Sequence, residues 1–265
     1  MNFKLNALVA AALLVAAGSA NAAISTSTSG NGELFMVVSD TTAGYSFVGD
    51  LGIAMDSFNA NLGQSFDLTS YSQWSAFYSA IGGTLNNATF AVLAVDSTGT
   101  GIGGDRMWVT SSTAISTADI AATQSKQLGG AAPVLDGTTS VTVLNQMNAN
   151  LGVVAGDMDS VANGSAYSAD GSLTYWDSNV GIDMKAKLPF SVMVDANEAA
   201  NFGFMVTAGT QTSLTPVVYT EAGQWTVGTG SLNYAVAAVP EAETYAMMLA
   251  GLGLVGFMVR RRNIA

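Results

Sequence analysis

Between residues 31 and 237 the chain alternates short runs of apolar and polar side chains with clusters of Gly, Ser, Thr, Asn and Asp. Period-two alternation bounded by turn residues predicts strands that bury one face. The candidates are Leu34 to Ser39, Thr89 to Asp96, Met107 to Ser111, Leu173 to Trp176, Ser191 to Asp195, Gly203 to Ala208, Pro216 to Thr220, Gln224 to Gly228 and Ser231 to Ala237. Asp136-Gly137 and Asp170-Gly171 are turn signals. The last three candidates lie close together, separated by Glu221-Ala222-Gly223 and Thr229-Gly230, and predict an antiparallel meander.

Helical periodicity is rarer. In TSYSQWSAFYSAIGG, Trp74, Phe77, Tyr78 and Ile81 recur at i, i+3, i+4 and i+7, with Ser70 as a cap and Gly82-Gly83 as a stop. That stripe is expected to be core against a sheet rather than an exposed aromatic platform for sugar rings. STADIAATQSKQLGG has a capping-box spacing from Ser116 to Asp119 and a C-cap in Gly129. TSVTVLNQMNANLG balances helix against strand. The expected fold is mainly β: one domain over residues 23–238, an antiparallel sheet or sandwich-like body with one to three short helices.

The two ends depart from this pattern. Met1 to Lys4 carry one positive charge, Leu5 to Ala17 are almost wholly apolar, and Ala20-Asn21-Ala22 places small residues where a signal peptidase reads. That order predicts a secretory signal peptide at residues 1–22, cut after Ala22. At the other end Tyr245 to Val259 is an uncharged apolar run. As a helix it rises about 22 Å, short of the ~30 Å hydrocarbon core, so it is a marginal transmembrane segment. Tyr245 suits one interface, and Arg260, Arg261 and Arg262 can snorkel to the other. Arginines favour the cytoplasmic side, which leaves the body outside.

Val239-Pro240-Glu241-Ala242-Glu243-Thr244-Tyr245, the apolar run with Gly251, Gly253 and Gly256, and the three arginines together resemble the PEP-CTERM sorting signal of Gram-negative bacteria. The second proline of that pattern is Ala242 here. The resemblance covers residues 239–265 and concerns sorting. It implies that a membrane protease, exosortase, processes the tail after the signal peptidase has acted. It further implies a passage through the inner membrane to the cell surface or the medium, where such proteins take part in extracellular polysaccharide, biofilm or floc formation.

Charge narrows the partners. Of eight basic residues only Arg106, Lys126, Lys185 and Lys187 lie in residues 23–238, against seventeen of the nineteen acids, a net −13. Such a body repels nucleic acid and anionic membrane, so no nucleic-acid partner is expected. Cations or neutral polymers such as polysaccharide remain. The chain has no cysteine and no histidine. Disulfide bracing, Ser-His-Asp and Cys-His catalysis, imidazole acid-base chemistry and the usual zinc sites are thereby excluded.

What chemistry is left can be tested by spacing. Gly99, Gly101 and Gly104 fall in a G-x-G-x-x-G pattern, but Asp105 to Ser111 reads as a strand where a dinucleotide site needs a helix. The glycines are then a hairpin loop. Neither a phosphate loop nor a nucleophile elbow occurs. The densest oxygen-ligand stretch, GDMDSVANGSAYSADG, holds Asp157, Asp159, Asn163 and Asp170, the candidate calcium ligands. It fails the EF-hand pattern because Val161 stands at a ligand position. Asp195, Asn197 and Glu198 form a second acidic stretch without a known spacing. The expectation is a non-enzymatic exported protein without catalytic residues or a required cofactor. Its rivals are a carbohydrate-active hydrolase using an Asp/Glu pair and a calcium-assisted carbohydrate-binding module, with Trp176 and Trp225 as the candidate exposed aromatics.

Overall fold

The computed structural model describes residues 24, 31–71, 73–96, 106–112, 160–162, 164–172, 175–176, 191–206, 217–236 and 252, with backbone alone for 160–162 and 217–222. Among the described residues eleven strands run in chain order: β1 (Glu33–Asp40), β2 (Tyr45–Ala54), β3 (Gln64–Asp67), β4 (Thr89–Asp96), β5 (Arg106–Ser111), β6 (Ser160–Ala162), β7 (Ser165–Ala169), β8 (Val194–Asp195), β9 (Ala200–Val206), β10 (Val217–Val227) and β11 (Ser231–Val236). They form one antiparallel sheet in the order β3-β11-β10-β9-β5-β4-β1-β2-β7-β6, with β8 on the β5 side of β4. The mainly β reading therefore holds, as one continuous curled sheet.

Alternation decides what points inward. Leu34, Met36 and Val38 of β1, Phe90, Val92 and Ala94 of β4, Trp108 of β5, Phe202 of β9, Trp225 of β10 and Leu232 and Tyr234 of β11 share one core. The sheet must curl for strands so far apart in its order to meet. Phe58 shows the closure: its ring lies 5.2 Å from Trp108, 5.4 Å from Phe202, 6.0 Å from Trp225 and 5.2 Å from Tyr234. The opposite face of β1, β4 and β5 is buried too, through Phe35, Val37, Leu93, Val95, Met107 and Val109. Strands buried on both faces read as continuous apolar runs, as FMVV and FAVLAV do.

The excursion from Met55 to Ala88 fills the hollow of the curl. Its one helix, α1 (Trp74–Ala80), turns Trp74 and Phe77 onto Phe47 of β2, at 5.1 and 6.0 Å between centroids. Ser75, Ala76 and Ser79 face water, so the aromatic stripe is core, as its spacing predicts. Trp74 also donates its indole N–H to the Thr229 carbonyl, 2.9 Å away in the β10–β11 turn. The helix stops where expected: Gly82, at φ 82°, donates to Ser79 and Gly83 donates to Tyr78, the two bonds of a Schellman motif. Ser70 does not cap α1. Its hydroxyl donates to the Asp67 carbonyl inside a 3-10 turn, Leu68–Ser70, that precedes the helix.

Several predicted boundaries are corrected. Glu221-Ala222-Gly223 is no turn: β10 runs through it, with an irregularity in its pairing to β9 between Thr220 and Gln224. Gly223 is needed because the Tyr234 ring lies where its Cβ would be. Of Ser191 to Asp195 only Val194 and Asp195 pair as a strand, and Gly203 to Ala208 starts three residues earlier, at Ala200. Trp176 is helical rather than the end of a strand. The predicted helix over 116–130, the stretch 139–152 that balances helix against strand, and the Asp136-Gly137 turn lie outside the described residues, whereas the Asp170-Gly171 turn is present.

Candidate functional site

Several acids of the described body are held by local hydrogen bonds or an ion pair. Asp40 is buried at the end of β1, and its Oδ1 accepts the N–H groups of Thr42 and Ala43, both at 2.9 Å. It is the turn residue of the β1–β2 hairpin. Asp96 is buried at the end of β4, where its Oδ2 accepts from Nε and Nη2 of Arg106 at 2.9 and 2.6 Å. Nη1 of Arg106 reaches Asp56 at 2.7 Å. Burial alone would lower the guanidinium pKa, but these hydrogen bonds and the two carboxylate charges hold it above its ordinary value. Exposed Asp195 accepts from the backbone and side-chain N–H of Asn197, which lowers its pKa. That carboxylate is occupied by its own loop.

Asp50 is the residue the sequence reading missed. It is only 8 % exposed, in a two-residue irregularity of β2 that lies opposite the Leu34–Phe35 step of β1. Burial pushes its pKa up to about 6; the hydrogen bond from the Gly52 N–H lowers it in part, and the negative charge of Glu33 adds to the rise. The Tyr71 hydroxyl donates to the Asp50 carbonyl, and burial followed by the Asp50 charge raises the tyrosine pKa. An apolar setting with a glycine two positions on, VGDLG, was the available signal. Asp50 Oδ1 accepts the Gly52 N–H at 2.7 Å, so the carboxyl shapes the bulge.

Of the four candidate calcium ligands one, Asp170, lies among the described residues. Asp170 is exposed in the turn after β7, while Asp157, Asp159 and Asn163 lie outside the described residues. Among the described residues no three acidic side chains are grouped to hold a metal ion. The two candidate sugar-stacking tryptophans are corrected outright. Trp176 and Trp225 are both fully buried, Trp176 edge-on to Phe35 at 6.3 Å and Trp225 against Tyr234 at 5.0 Å. The exposed large hydrophobic side chains among the described residues are Leu62 and Leu252. The glycine pattern at 99–104 lies outside the described residues, but β4 and β5 on either side pair antiparallel from Leu93↔Val109 to Asp96↔Arg106. A strand follows those glycines, as a hairpin requires and a dinucleotide site forbids.

This leaves the chain's exit. β11 is held on both edges, by β10 from Leu232 to Val236 and by β3 from Ser231 to Tyr234. Three residues, Ala237, Ala238 and Val239, separate its end from Pro240. The family model for the PEP-CTERM protein-sorting motif matches residues 238–262. The chain ends in a PEP-CTERM sorting motif. No curated protein and no solved structure matches the chain.

The PEP-CTERM motif contains all the predicted sorting residues, Val239, Pro240, Glu241, Ala242, Arg260, Arg261 and Arg262, each outside the described residues. It supports an exported protein sorted by exosortase toward the cell surface. Leu252 apart, the expected transmembrane helix also lies outside the described residues, and among those described no helix is long and apolar enough to cross a membrane. Ala20 and Ala22 of the predicted signal peptidase site are likewise outside them.

Proposed function

We propose that this protein is a non-enzymatic component of an extracellular polysaccharide or biofilm matrix, delivered by its PEP-CTERM tail. Export starts with removal of residues 1–22 by signal peptidase. Tyr245 to Val259 then holds the chain in the inner membrane, with Arg260, Arg261 and Arg262 on the cytoplasmic side, until exosortase releases the body. The observation that carries this reading is the sorting motif set directly behind β11, the last described strand of the sheet, which is paired on both edges. Absence of His and Cys supports a role without nucleophilic or imidazole chemistry. The described acids support it as well, since Asp40, Asp50, Asp96 and Asp195 each serve a turn, a bulge or an ion pair. The body's net −13 suits neutral polysaccharide or a cation-bridged polymer.

The test is the intact mass and location of the protein in hosts with and without exosortase. The expected mature chain begins at Ala23, lacks the arginine cluster and leaves the membrane fraction only where exosortase is present. Released protein should then co-sediment with the host's extracellular polysaccharide. A full tail in the inner membrane of both hosts would instead make this a membrane-anchored periplasmic domain.

A further inference from the structure

Most aromatic side chains of the described body are buried. Tyr45, Tyr78, Tyr167 and Phe204 are only half-buried, and the three tyrosines belong to one neighbourhood. Tyr167 of β7 pairs across from Phe47 of β2, and Tyr45 lies two residues from Phe47, so alternation puts these three rings on one face of the sheet. The Tyr45 and Tyr167 rings stack on each other, 5.5 Å apart and inclined by 26°. That face is the one α1 covers, since Trp74 and Phe77 rest on Phe47, and α1 also touches β7. Tyr78 in turn stacks on Trp74, 6.2 Å away and inclined by 17°. Trp74 and Phe47 thus join Tyr78 and the tyrosine pair into one run of rings, with the tyrosines as its half-exposed members.

The hydroxyls separate these tyrosines from the buried ones. Tyr71 and Tyr234 donate to the carbonyls of Asp50 and Ala60, whereas the hydroxyls of Tyr45 and Tyr78 bond to no other described residue. Each of the two is a flat apolar ring, fixed by stacking, with a hydroxyl left for water or a ligand. Such a ring loses little freedom on binding, because only two torsions set it and its neighbours already hold them. Polar groups stand beside the pair. The Asp170 N–H donates to the carbonyl of Gly44, the residue before Tyr45, at 2.8 Å, and Asp170, Thr41 and Thr42 are exposed there.

This combination selects a class of ligand. A hexopyranose unit carries C–H groups on a ring face and hydroxyls around its edge, so an aromatic ring takes the face and a carboxylate or hydroxyl takes the edge. An acidic polymer is turned away by the body's net −13 and by the negative Asp170 beside Tyr45.

We propose that Tyr45, Tyr167 and Tyr78 form the surface on which the released protein stacks hexopyranose units of a neutral polysaccharide, with Asp170 accepting from sugar hydroxyls. The proposal rests on the reading of the protein as a matrix component. It puts recognition on tyrosines where the sequence pointed to Trp176 and Trp225.

The test uses the released protein and the neutral polysaccharide fraction purified from the matrix of the producing cells, with binding read by co-sedimentation. Tyr45→Leu combined with Tyr78→Leu keeps apolar bulk and removes the flat faces, whereas Tyr45→Phe combined with Tyr78→Phe keeps the rings. The leucine pair should bind about tenfold more weakly, the size of one lost anchor contact, and the phenylalanine pair should bind as the parent does. A second readout needs no variant fold. In parent protein with ring-labelled tyrosine, oligosaccharides cut from the same fraction should shift the NMR signals of Tyr45, Tyr78 and Tyr167 and leave those of buried Tyr71 and Tyr234 in place. Equal binding by the parent and the leucine pair, or unshifted signals from the three tyrosines in parent that binds, overturns this inference and leaves the matrix reading standing. Equal loss in the leucine and phenylalanine pairs overturns stacking in favour of the hydroxyls alone. A parent that binds none of the matrix polysaccharide overturns the matrix reading and this inference with it.

Discussion

At the residue scale, burial and local hydrogen bonding decide what each acid does. Asp50 titrates near 6 in the folded protein against an ordinary value of 3.8. The native state therefore binds more protons than the unfolded chain between those values. Its contribution to stability is full below pH ~4 and is lost as pH rises through about 6, by at most roughly 3 kcal/mol. Asp50→Asn keeps an oxygen for the Gly52 N–H and removes the charge. Denaturant midpoints measured across pH 4 to 7 should show the variant gaining on the parent as pH rises and levelling off above pH ~6. A constant difference would show that Asp50 is not the titrating group. Comparing the two proteins cancels residues of opposite sign, such as Asp195, whose lowered pKa stabilises above the carboxylate range and is lost on acidification.

At the element scale, the strands that were legible in sequence are those whose side chains follow a simple rule. β4 is found to the residue and β1 and β5 within one, because each is an uninterrupted β-branched and apolar run. β2 was hidden although Phe47 and Leu51 both point into the core, because GDLG reads as a turn. In the fold that glycine-acid stretch is a bulge closed by Asp50 and Gly52, and a bulge and a turn use the same residues. β6 and β7, rich in Ser and Ala, offer no contrast between faces, so the pairing of β7 to β2 and of β6 to β7 is set by the sheet rather than by their pattern. Trp176 and Trp225 illustrate the complementary limit: sequence shows a tryptophan's chemistry but not which side of a curled sheet it meets. Gly223, taken for a turn, gives a direct check. Its Cβ would overlap the Tyr234 ring, which is buried and held at its hydroxyl by Ala60. Gly223→Ala should cost about 1–3 kcal/mol by overpacking, and a Tyr234→Leu partner should recover part of it. Thermal unfolding of the single and double variants reads both outcomes.

At the scale of the whole molecule, the sheet sets a limit on where the chain can be cut. β11 is the seam between β10 and β3, and it brings Leu232 and Tyr234 into the core beside Trp225 and Phe66. Removing it would forfeit about 1.5–3 kcal/mol for each large apolar side chain lost or uncovered, several such losses at once. That total is comparable with the whole stability of a domain, about 5–15 kcal/mol. A chain ending at Val236 should therefore unfold in a single cooperative step with near-parent stability, whereas one ending at Gly230 should be unfolded or aggregated. Cutting at any point of the PEP-CTERM motif spares β11, since the motif begins at residue 238, two residues past the strand. Circular dichroism and denaturant melts of the two truncations decide the matter: equal stability would mean that β11 is dispensable, and that the placement of the motif behind it carries no structural consequence.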